Sequence, residues 1–211
     1  MATLHPYKDD HGQPVKLMSP STPSDLNAWA DASQHATAIP LSPMPAMLNG
    51  IAIMSWQDPP NDNASWERLA ASSDFKEPAF KALSGKKTSS GVVVVEPDGR
   101  IWVVSPSNQF GGYANTFPKG TLGPSEKLSL RSNAIKETYE ETGLKIELTG
   151  FLADSDRSTS TTRYYLGRRL GGNPADMGWE TQAVHLVPRA LLTAVANHKN
   201  DQVVLAALDN L

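Results

Sequence analysis

The chain has 211 residues, 39% of them apolar and 19% charged, and its formal net charge is -3. This length predicts one domain with an extension, or two small domains, with enough residues to bury a core. The near balance of 19 basic and 22 acidic residues lacks the basic excess of typical nucleic-acid binders, so we expect no nucleic-acid partner. The absence of cysteine excludes disulfides, thiolate metal sites and a cysteine nucleophile.

Neither a leader nor a membrane span is predicted. Residues 1–10 show no basic-then-apolar pattern, and no apolar run approaches the roughly 20 residues of a membrane helix. We therefore expect a cytoplasmic protein without a membrane partner.

Most of the 16 prolines precede residue 85. Dense proline with little periodicity predicts an irregular N-terminal extension over residues 1–85, followed by a second domain over 86–211. A short helix is predicted from Asn63, and residues 81–90 are predicted to be a linker. Trp29, Trp56, Trp66 and the methionines of this extension indicate partial burial. The roles left open for it are packing on the core, covering a substrate cleft and mediating a homodimer.

The character of the sequence changes at Gly91. Two β-branched runs, 92–95 and 101–104, flank a Pro-Asp-Gly turn signal and predict a strand, a turn and a strand. Further strands are predicted at 145–152, 161–166 and 182–187, and helices at 189–196 and 202–208.

The segment between the second and third of these strands is predicted to form a helix from Leu130 to Thr142. Ser129 is a good N-cap and Gly143 a good residue just beyond the C-terminus. Ile135 and Tyr139 are predicted to face the core. Glu137, Glu140 and Glu141 stand at positions i, i+3 and i+4, so all three carboxylates share one face of the helix.

Like charges at this spacing destabilise a helix, and a divalent cation would remove the repulsion. Oxygen ligands suit Mg²⁺ or Mn²⁺. The alternative interpretation is a solvated, glutamate-rich helix face.

The context of the three glutamates resembles the signature box of the Nudix hydrolase family. Gly120, Glu137, Glu140, Glu141, Gly143 and Leu144 correspond to its glycine, its glutamates, its second glycine and its final aliphatic residue. The resemblance implies a Nudix-like α/β/α sandwich with a mixed sheet. It also implies metal-assisted hydrolysis of a small-molecule diphosphate substrate, with Glu137, Glu140 and Glu141 as ligands of Mg²⁺ or Mn²⁺.

Three departures from the box are visible. The loop is two residues longer than the pattern, so Leu128 takes the place of the first glutamate, with Glu126 nearby but out of register. Lys136 replaces an arginine, whose forked contact lysine cannot reproduce. Thr138 stands where an aliphatic residue is usual. These departures indicate a divergent site that keeps its metal-ligating carboxylates.

In the family, the general base lies in the box or in a later loop. Glu141 is the first choice within the box, where Glu140 belongs to the same catalytic set, and Glu180 is the choice outside it. For phosphate binding, Lys119 and Gly120 come first, followed by Arg163, with Arg168 and Arg169 as alternatives and Arg157 as a weaker one. Aromatic residues available to contact substrate are Phe110, Tyr113, Phe117, Tyr164, Tyr165 and Trp179.

The implied substrate is a nucleoside diphosphate derivative, such as ADP-ribose, a sugar-nucleotide or a dinucleoside polyphosphate. The run from Phe117 to Gly120 is also similar to that of Nudix enzymes acting on longer polyphosphates, including inositol pyrophosphates. A non-catalytic Nudix-fold nucleotide sensor is the alternative from another class. The isopentenyl diphosphate isomerase branch is excluded, because its chemistry uses a cysteine.

Overall fold

A computed structural model describes residues 2–123 and 127–211. The predicted register of Glu126 therefore lies outside the described residues. The strands are β1 (Leu4–Lys8), β2 (Pro14–Lys16), β3 (Ala36–Ala38), β4 (Met47–Leu48), β5 (Ile51–Ala52), β6 (Lys87–Val94), β7 (Ile101–Pro106), β8 (Lys119–Thr121), β9 (Leu144–Asp156), β10 (Ser160–Gly172) and β11 (Thr181–Val187). The α-helices are α1 (Leu26–Ala30), α2 (Asn63–Ala71), α3 (Leu130–Thr142), α4 (Leu192–Val195) and α5 (Gln202–Asp209). Short 3-10 helices cover Phe110–Gly112, Pro174–Asp176, Arg189–Leu191 and Lys199–Asp201.

The centre of the fold is a mixed four-stranded sheet in the order β8-β6-β10-β9. Strand β10 runs parallel to β6, and the other pairs are antiparallel. Successive residues of a strand point to opposite faces of its sheet. Val92 and Val94 of β6 accordingly pack in one core with Ile135 of α3, whereas Val93 packs in a second core with Val204 of α5. The predicted mixed sheet between helical layers is confirmed.

The predicted bounds of α3 agree with the structure because its signals are local. Ser129 accepts a hydrogen bond from the Ser132 N–H at 3.2 Å. Gly143 has a φ of +68°, and its N–H donates to the Tyr139 carbonyl at 2.7 Å. Ile135 is buried, and Tyr139 packs edge-on against Trp56, with ring centroids 5.1 Å apart. The cap and the terminal glycine therefore determine where the helix begins and ends.

The prediction of a linker through residue 90 is wrong, since β6 begins at Lys87. It begins with the polar residues Lys87, Thr88, Ser89 and Ser90, but β6 lies between β8 and β10 and is paired on both sides. Strands β9 and β10 also run longer than predicted, because they form one antiparallel pair that extends from Leu144 to Gly172.

The N-terminal extension contains more regular structure than its prolines predict. Strand β3 pairs with β11 in a three-stranded sheet of order β3-β11-β7. Trp29 is 1% exposed, and the Arg100 guanidinium donates to the carbonyls of Ala28, Trp29 and Asp31. The extension thus packs on the core, while the boundary near residue 86 stays a prediction.

None of the described helices is both long enough and apolar enough to cross a membrane.

Candidate active site

A cavity of about 670 Å³ lies beside β8 and the adjoining strands. Glu137 and Glu141 of α3 line it, together with Lys119 and Gly120 of β8 and Glu180 from the loop before β11. The strand and the helix face of the predicted box therefore meet in one cavity. The other walls of the cavity are formed by residues that are far apart in the sequence.

Glu137 approaches the backbone of β8 so closely that only glycine fits at position 120. A Cβ atom placed on Gly120 would lie 1.8 Å from Oε2 of Glu137. Glu137 is 9% exposed. Burial, followed by repulsion from Glu141 and Glu140, raises the pKa of Glu137 to about 8. The box glycine thus leaves room for a buried carboxylate.

Glu141 is held against the same strand. Its Oε2 accepts a hydrogen bond from the Lys119 N–H at 2.8 Å. Burial raises the pKa of Glu141 to about 7, against the opposing influence of the Lys119 charge and N–H. Burial also lowers the pKa of the Lys119 amine, with Glu141 opposing the shift. The Lys119 N–H and the Lys119 charge thus both favour the ionised form of Glu141.

Glu140 and Glu180 occupy more open positions. The side chain of Glu140 is 48% exposed, and its Oε2 accepts from the Lys136 amine at 3.1 Å, one helical turn away. Glu180 is exposed at the rim but lines the cavity. Burial and then the charges of Asp10 and Glu140 raise its pKa. Of the two, the structure brings Glu180 to the cavity wall.

Arg157, the weaker candidate for phosphate binding, lines the cavity. Its guanidinium donates to the hydroxyls of Tyr113 at 2.7 Å and Tyr164 at 2.6 Å, and to Asp201 Oδ1 at 2.7 Å. Its Nε is buried without a hydrogen-bond partner among the described residues. Arg157 lines the cavity from the end of β9, where the strand turns into β10. No local signal in the sequence indicated this role, because the strand was predicted to end at residue 152 and not at Asp156.

Tyr113, a predicted substrate contact, lines the cavity, but its ring is already in contact with protein. The His198 ring lies 3.9 Å from it between centroids, and the Lys119 amine lies 5.1 Å from its centroid. Its hydroxyl accepts from Asn200 at 2.7 Å. Trp179 also lines the cavity, and its indole N–H donates to Asp10 at 3.1 Å.

Two predicted substrate contacts are placed elsewhere. Arg163 is 2% exposed and faces its cross-strand neighbour Asp154, with Nη2 to Oδ2 at 2.7 Å. It also donates to the Pro78 carbonyl of the extension. Phe117 is fully buried and packs edge-on against Tyr164 in the core. The structure does not bring Arg163 or Phe117 to the cavity, because their side chains are taken up by core and ion-pair contacts.

The alternative arginines are also engaged away from the cavity. Arg169 forms a fully buried ion pair with Glu96, with Nε to Oε1 at 2.6 Å. Arg168 is exposed and pairs with Glu147. Neither lines the cavity.

The residues fit a hard divalent cation, although the described part of the chain contains no preassembled group of three histidine or acidic side chains. Glu137 and Glu141 are oxygen donors whose pKa values are raised by desolvation and by repulsion from neighbouring glutamates. A divalent cation would offset both penalties. Glu137 and Glu141 would hold it, and Glu140 could join them by exchanging its contact with Lys136.

The family model of the NUDIX domain matches residues 85–208, more than half of the chain. No curated protein matches the sequence. A MutT protein from Methanosarcina mazei Go1 is 13% identical, with a TM-score of 0.49 covering 61% of this chain and 96% of that one. An ADP-ribose pyrophosphatase from Streptococcus suis 89-1591 is 23% identical, with a TM-score of 0.47 covering 59% and 91%. An Ap4A hydrolase from C. elegans is 19% identical, with a TM-score of 0.47 covering 58% and 96%.

A domain match of this extent, on a chain whose box residues Gly120, Glu137 and Glu141 line one cavity, shows that the chain belongs to the NUDIX family.

Proposed function

We propose that this protein is a divalent-metal-dependent hydrolase that cleaves the diphosphate linkage of a nucleoside diphosphate derivative. The observation that carries the proposal is the pair Glu137 and Glu141, which lie against Gly120 and Lys119 in a cavity that also contains Arg157. Carboxylates next to lysine and arginine suit a reaction in which a metal cation and an anionic substrate meet.

The cavity holds both carboxylates, which would bind a metal, and cations, which would bind phosphate. A bound Mg²⁺ or Mn²⁺ would neutralise the diphosphate and lower the pKa of the attacking water. Lys119 and Arg157 would attract the non-bridging phosphate oxygens, and their partial burial strengthens that attraction. The water oxygen forms a bond to one phosphorus, the bridging P–O bond breaks, and the bridging oxygen leaves with the other phosphate.

Glu141 and Glu180 both line the cavity and are the candidate bases that would accept the proton from water. One oxygen of Glu141 already accepts from the Lys119 N–H, which leaves its other oxygen available. Glu180 reaches the same cavity from the loop before β11. We assign to Glu141 the role of accepting the proton from the attacking water. Glu180→Gln tests the alternative, because it would abolish turnover only if Glu180 is the base.

The test is a hydrolysis assay with Mg²⁺ or Mn²⁺ on ADP-ribose, UDP-glucose, diadenosine tetraphosphate and an inositol pyrophosphate. We expect phosphoester products from at least one nucleoside diphosphate derivative. Glu137→Gln and Glu141→Gln should each lower kcat/KM by about 10²-fold or more, because each removes a metal-binding charge. Glu147→Gln is the matched control, since Glu147 pairs with exposed Arg168.

Undiminished activity in Glu141→Gln would contradict the carboxylate mechanism. Tight nucleotide binding without turnover of any substrate would favour the sensor instead.

A further inference from the structure

The Arg157 guanidinium is held in the cavity by residues from three separate parts of the chain. Its Nη1 donates to the Tyr113 hydroxyl, and its Nη2 donates to the Tyr164 hydroxyl and to Oδ1 of Asp201. A guanidinium has five N–H donors, so these three bonds leave two donors for a ligand. The Nε–H is one of them, since it is buried without a partner among the described residues. Arg157 is therefore fixed by protein contacts and still able to bind a phosphate.

Asp201 is the only charged group among these three partners of Arg157. Its side chain is fully buried, and Asp201 lies outside the cavity wall that Arg157 helps to form. The two opposite charges are 2.7 Å apart in a desolvated site, where Coulomb attraction adds to the hydrogen bond. The bond to Asp201 therefore contributes more to the orientation of Arg157 than the bond to either tyrosine.

Asp201 also reduces the repulsion between Arg157 and Lys119, which both line the cavity. Burial lowers the pKa of the Lys119 amine, Glu141 opposes this shift, Arg157 adds to it, and Asp201 opposes it. The charges of Arg157 and Asp201 therefore act on Lys119 with opposite sign. Because Asp201 does not line the cavity, it offsets this repulsion without taking the place of the substrate.

Asp201 is held in place by its own segment, which leads into α5. The carbonyl of the neighbouring Asn200 accepts from the Ser155 hydroxyl of β9 at 3.1 Å. The Nδ2 of Asn200 donates to the Tyr113 hydroxyl at 2.7 Å. The segment is thus bonded to the end of β9, after which Arg157 follows, and to a tyrosine that Arg157 also contacts.

We propose that Asp201 is a positioning residue, which holds Arg157 in the orientation that binds the diphosphate of the substrate. The inference rests on the proposed function, in which Arg157 attracts phosphate oxygens. These phosphate contacts exist in the bound substrate as well as in the transition state, so weakening them should raise KM more than it lowers kcat. Asp201 has this role although it lies in the C-terminal segment, outside the predicted box.

The first test is Asp201→Asn, which keeps the size of the side chain and an oxygen acceptor but removes the charge. On the best substrate of the hydrolysis assay, we expect KM to rise by about 10-fold while kcat stays within about threefold. Titration calorimetry with Mg²⁺ and α,β-methylene-ADP, whose P–C–P linkage resists hydrolysis, should show a similar rise in Kd. An unchanged or lower Kd would overturn the proposal, because the carboxylate would then only neutralise Arg157.

Arg157→Lys shows whether Asp201 acts through Arg157. Lysine keeps the charge but cannot reproduce the planar contacts of the guanidinium. The double variant should have the KM of Arg157→Lys within about twofold, because Asp201 then has no guanidinium left to orient. Fully multiplicative effects of the two substitutions on KM would overturn the proposal.

Glu96→Gln is the matched control, because Glu96 forms a fully buried ion pair with Arg169 away from the cavity. It should lower the melting temperature but leave KM and Kd unchanged. An equal rise in KM would show that Asp201 acts only through stability. If Asp201→Asn does not fold, Asp201→Glu takes its place, since it keeps the ion pair and shifts the carboxylate by one methylene group. A rise in KM then supports the proposal, and an unchanged KM overturns it.

Failure of the proposed function gives a different result. The wild type would then turn over no diphosphate, while the Kd values for α,β-methylene-ADP would still decide whether Asp201 acts on binding. A wild type that does not bind this probe would overturn both the role of Arg157 and that of Asp201.

Discussion

Gly120 is the residue on which the position of Glu137 depends. An alanine Cβ at position 120 would lie 1.8 Å from one carboxylate oxygen of Glu137 and 1.9 Å from its carboxyl carbon, so the carboxylate has to move. A displacement of about 1 Å in a catalytic group can cost about 10²-fold in rate. We therefore expect Gly120→Ala to lower kcat/KM by about that factor, measured with Mg²⁺ on the best substrate.

Gly171→Ala is the control for this substitution. A Cβ atom on Gly171 meets nothing within 4 Å, so this variant should keep both its activity and its melting temperature. If Gly120→Ala were as active as Gly171→Ala, Glu137 would not act in the reaction.

The two arginines of the β9–β10 hairpin show why the sequence predicts residue types better than residue roles. Arg163 has the expected type and strand but faces away from the cavity, where it pairs with Asp154 across the strands. Arg157 ends the same hairpin and reaches the cavity because Asp201, remote in sequence, pairs with it. Strand register includes bulges that no local pattern specifies. Local signals therefore could not decide which arginine lines the site.

At the scale of elements, Arg131 of α3 connects this helix to the N-terminal extension by hydrogen bonds. Its guanidinium donates to Glu77 at 2.9 Å and to the carbonyls of Ser73 and Phe75, and it lies 4.0 Å from the centroid of the Phe75 ring. Lysine cannot reproduce this planar set of contacts. We expect Arg131→Lys to lower the free energy of unfolding by about 1–2 kcal/mol in urea denaturation.

Arg68→Lys provides the comparison for Arg131→Lys. Arg68 is exposed and contacts only the Ser65 hydroxyl of its own helix among the described residues, so its replacement should cost less than about 0.5 kcal/mol. Equal losses in the two variants would show that the Arg131 contacts contribute nothing specific.

The elements also differ in how far the sequence determines them. Helix α3 was predictable to the residue because Ser129 and Gly143 act within one turn of its ends. The start of β6 was not, because the segment Lys87–Ser90 becomes a strand through partners 30 and more residues away. The same holds for β3, three residues whose pairing partner β11 lies nearly 150 positions later. Nonlocal pairing overrides weak β propensity in both.

At the scale of the whole molecule, a histidine network joins the extension to the active-site domain. His185 of β11 bonds through Nε2 to the Ser105 hydroxyl at 2.8 Å, and through Nδ1 to the Thr37 hydroxyl at 2.9 Å and to His35 at 3.1 Å. Ser105 in turn donates to Asn115 at 2.6 Å, so it accepts from His185, whose Nε2 carries the proton. Neutral His185 therefore donates a hydrogen bond to Ser105 and accepts hydrogen bonds from the N-terminal extension.

This junction predicts a loss of stability in acid. Burial, and then the nearby His35, lowers the pKa of His185 to about 3, against about 6.5 in the unfolded chain. The unfolded state thus binds more protons between these values, and stability falls as pH drops from 6.5 towards 3, by up to about 1.4 kcal/mol per pH unit for this group. Urea denaturation of the wild type from pH 7.5 to pH 4.5 should show this slope.

His185→Gln keeps an amide donor and acceptor but cannot titrate, so its stability should fall less steeply below pH 6.5, whatever its stability at pH 7.5. His11→Gln is the control, because His11 is exposed in the turn between β1 and β2, and its slope should equal that of the wild type. His5 and His35 also have lowered pKa values through burial, so a residual slope of the same sign should remain in His185→Gln. Parallel curves for the wild type and His185→Gln would mean that His185 can be protonated without loosening the contact between β3 and β11.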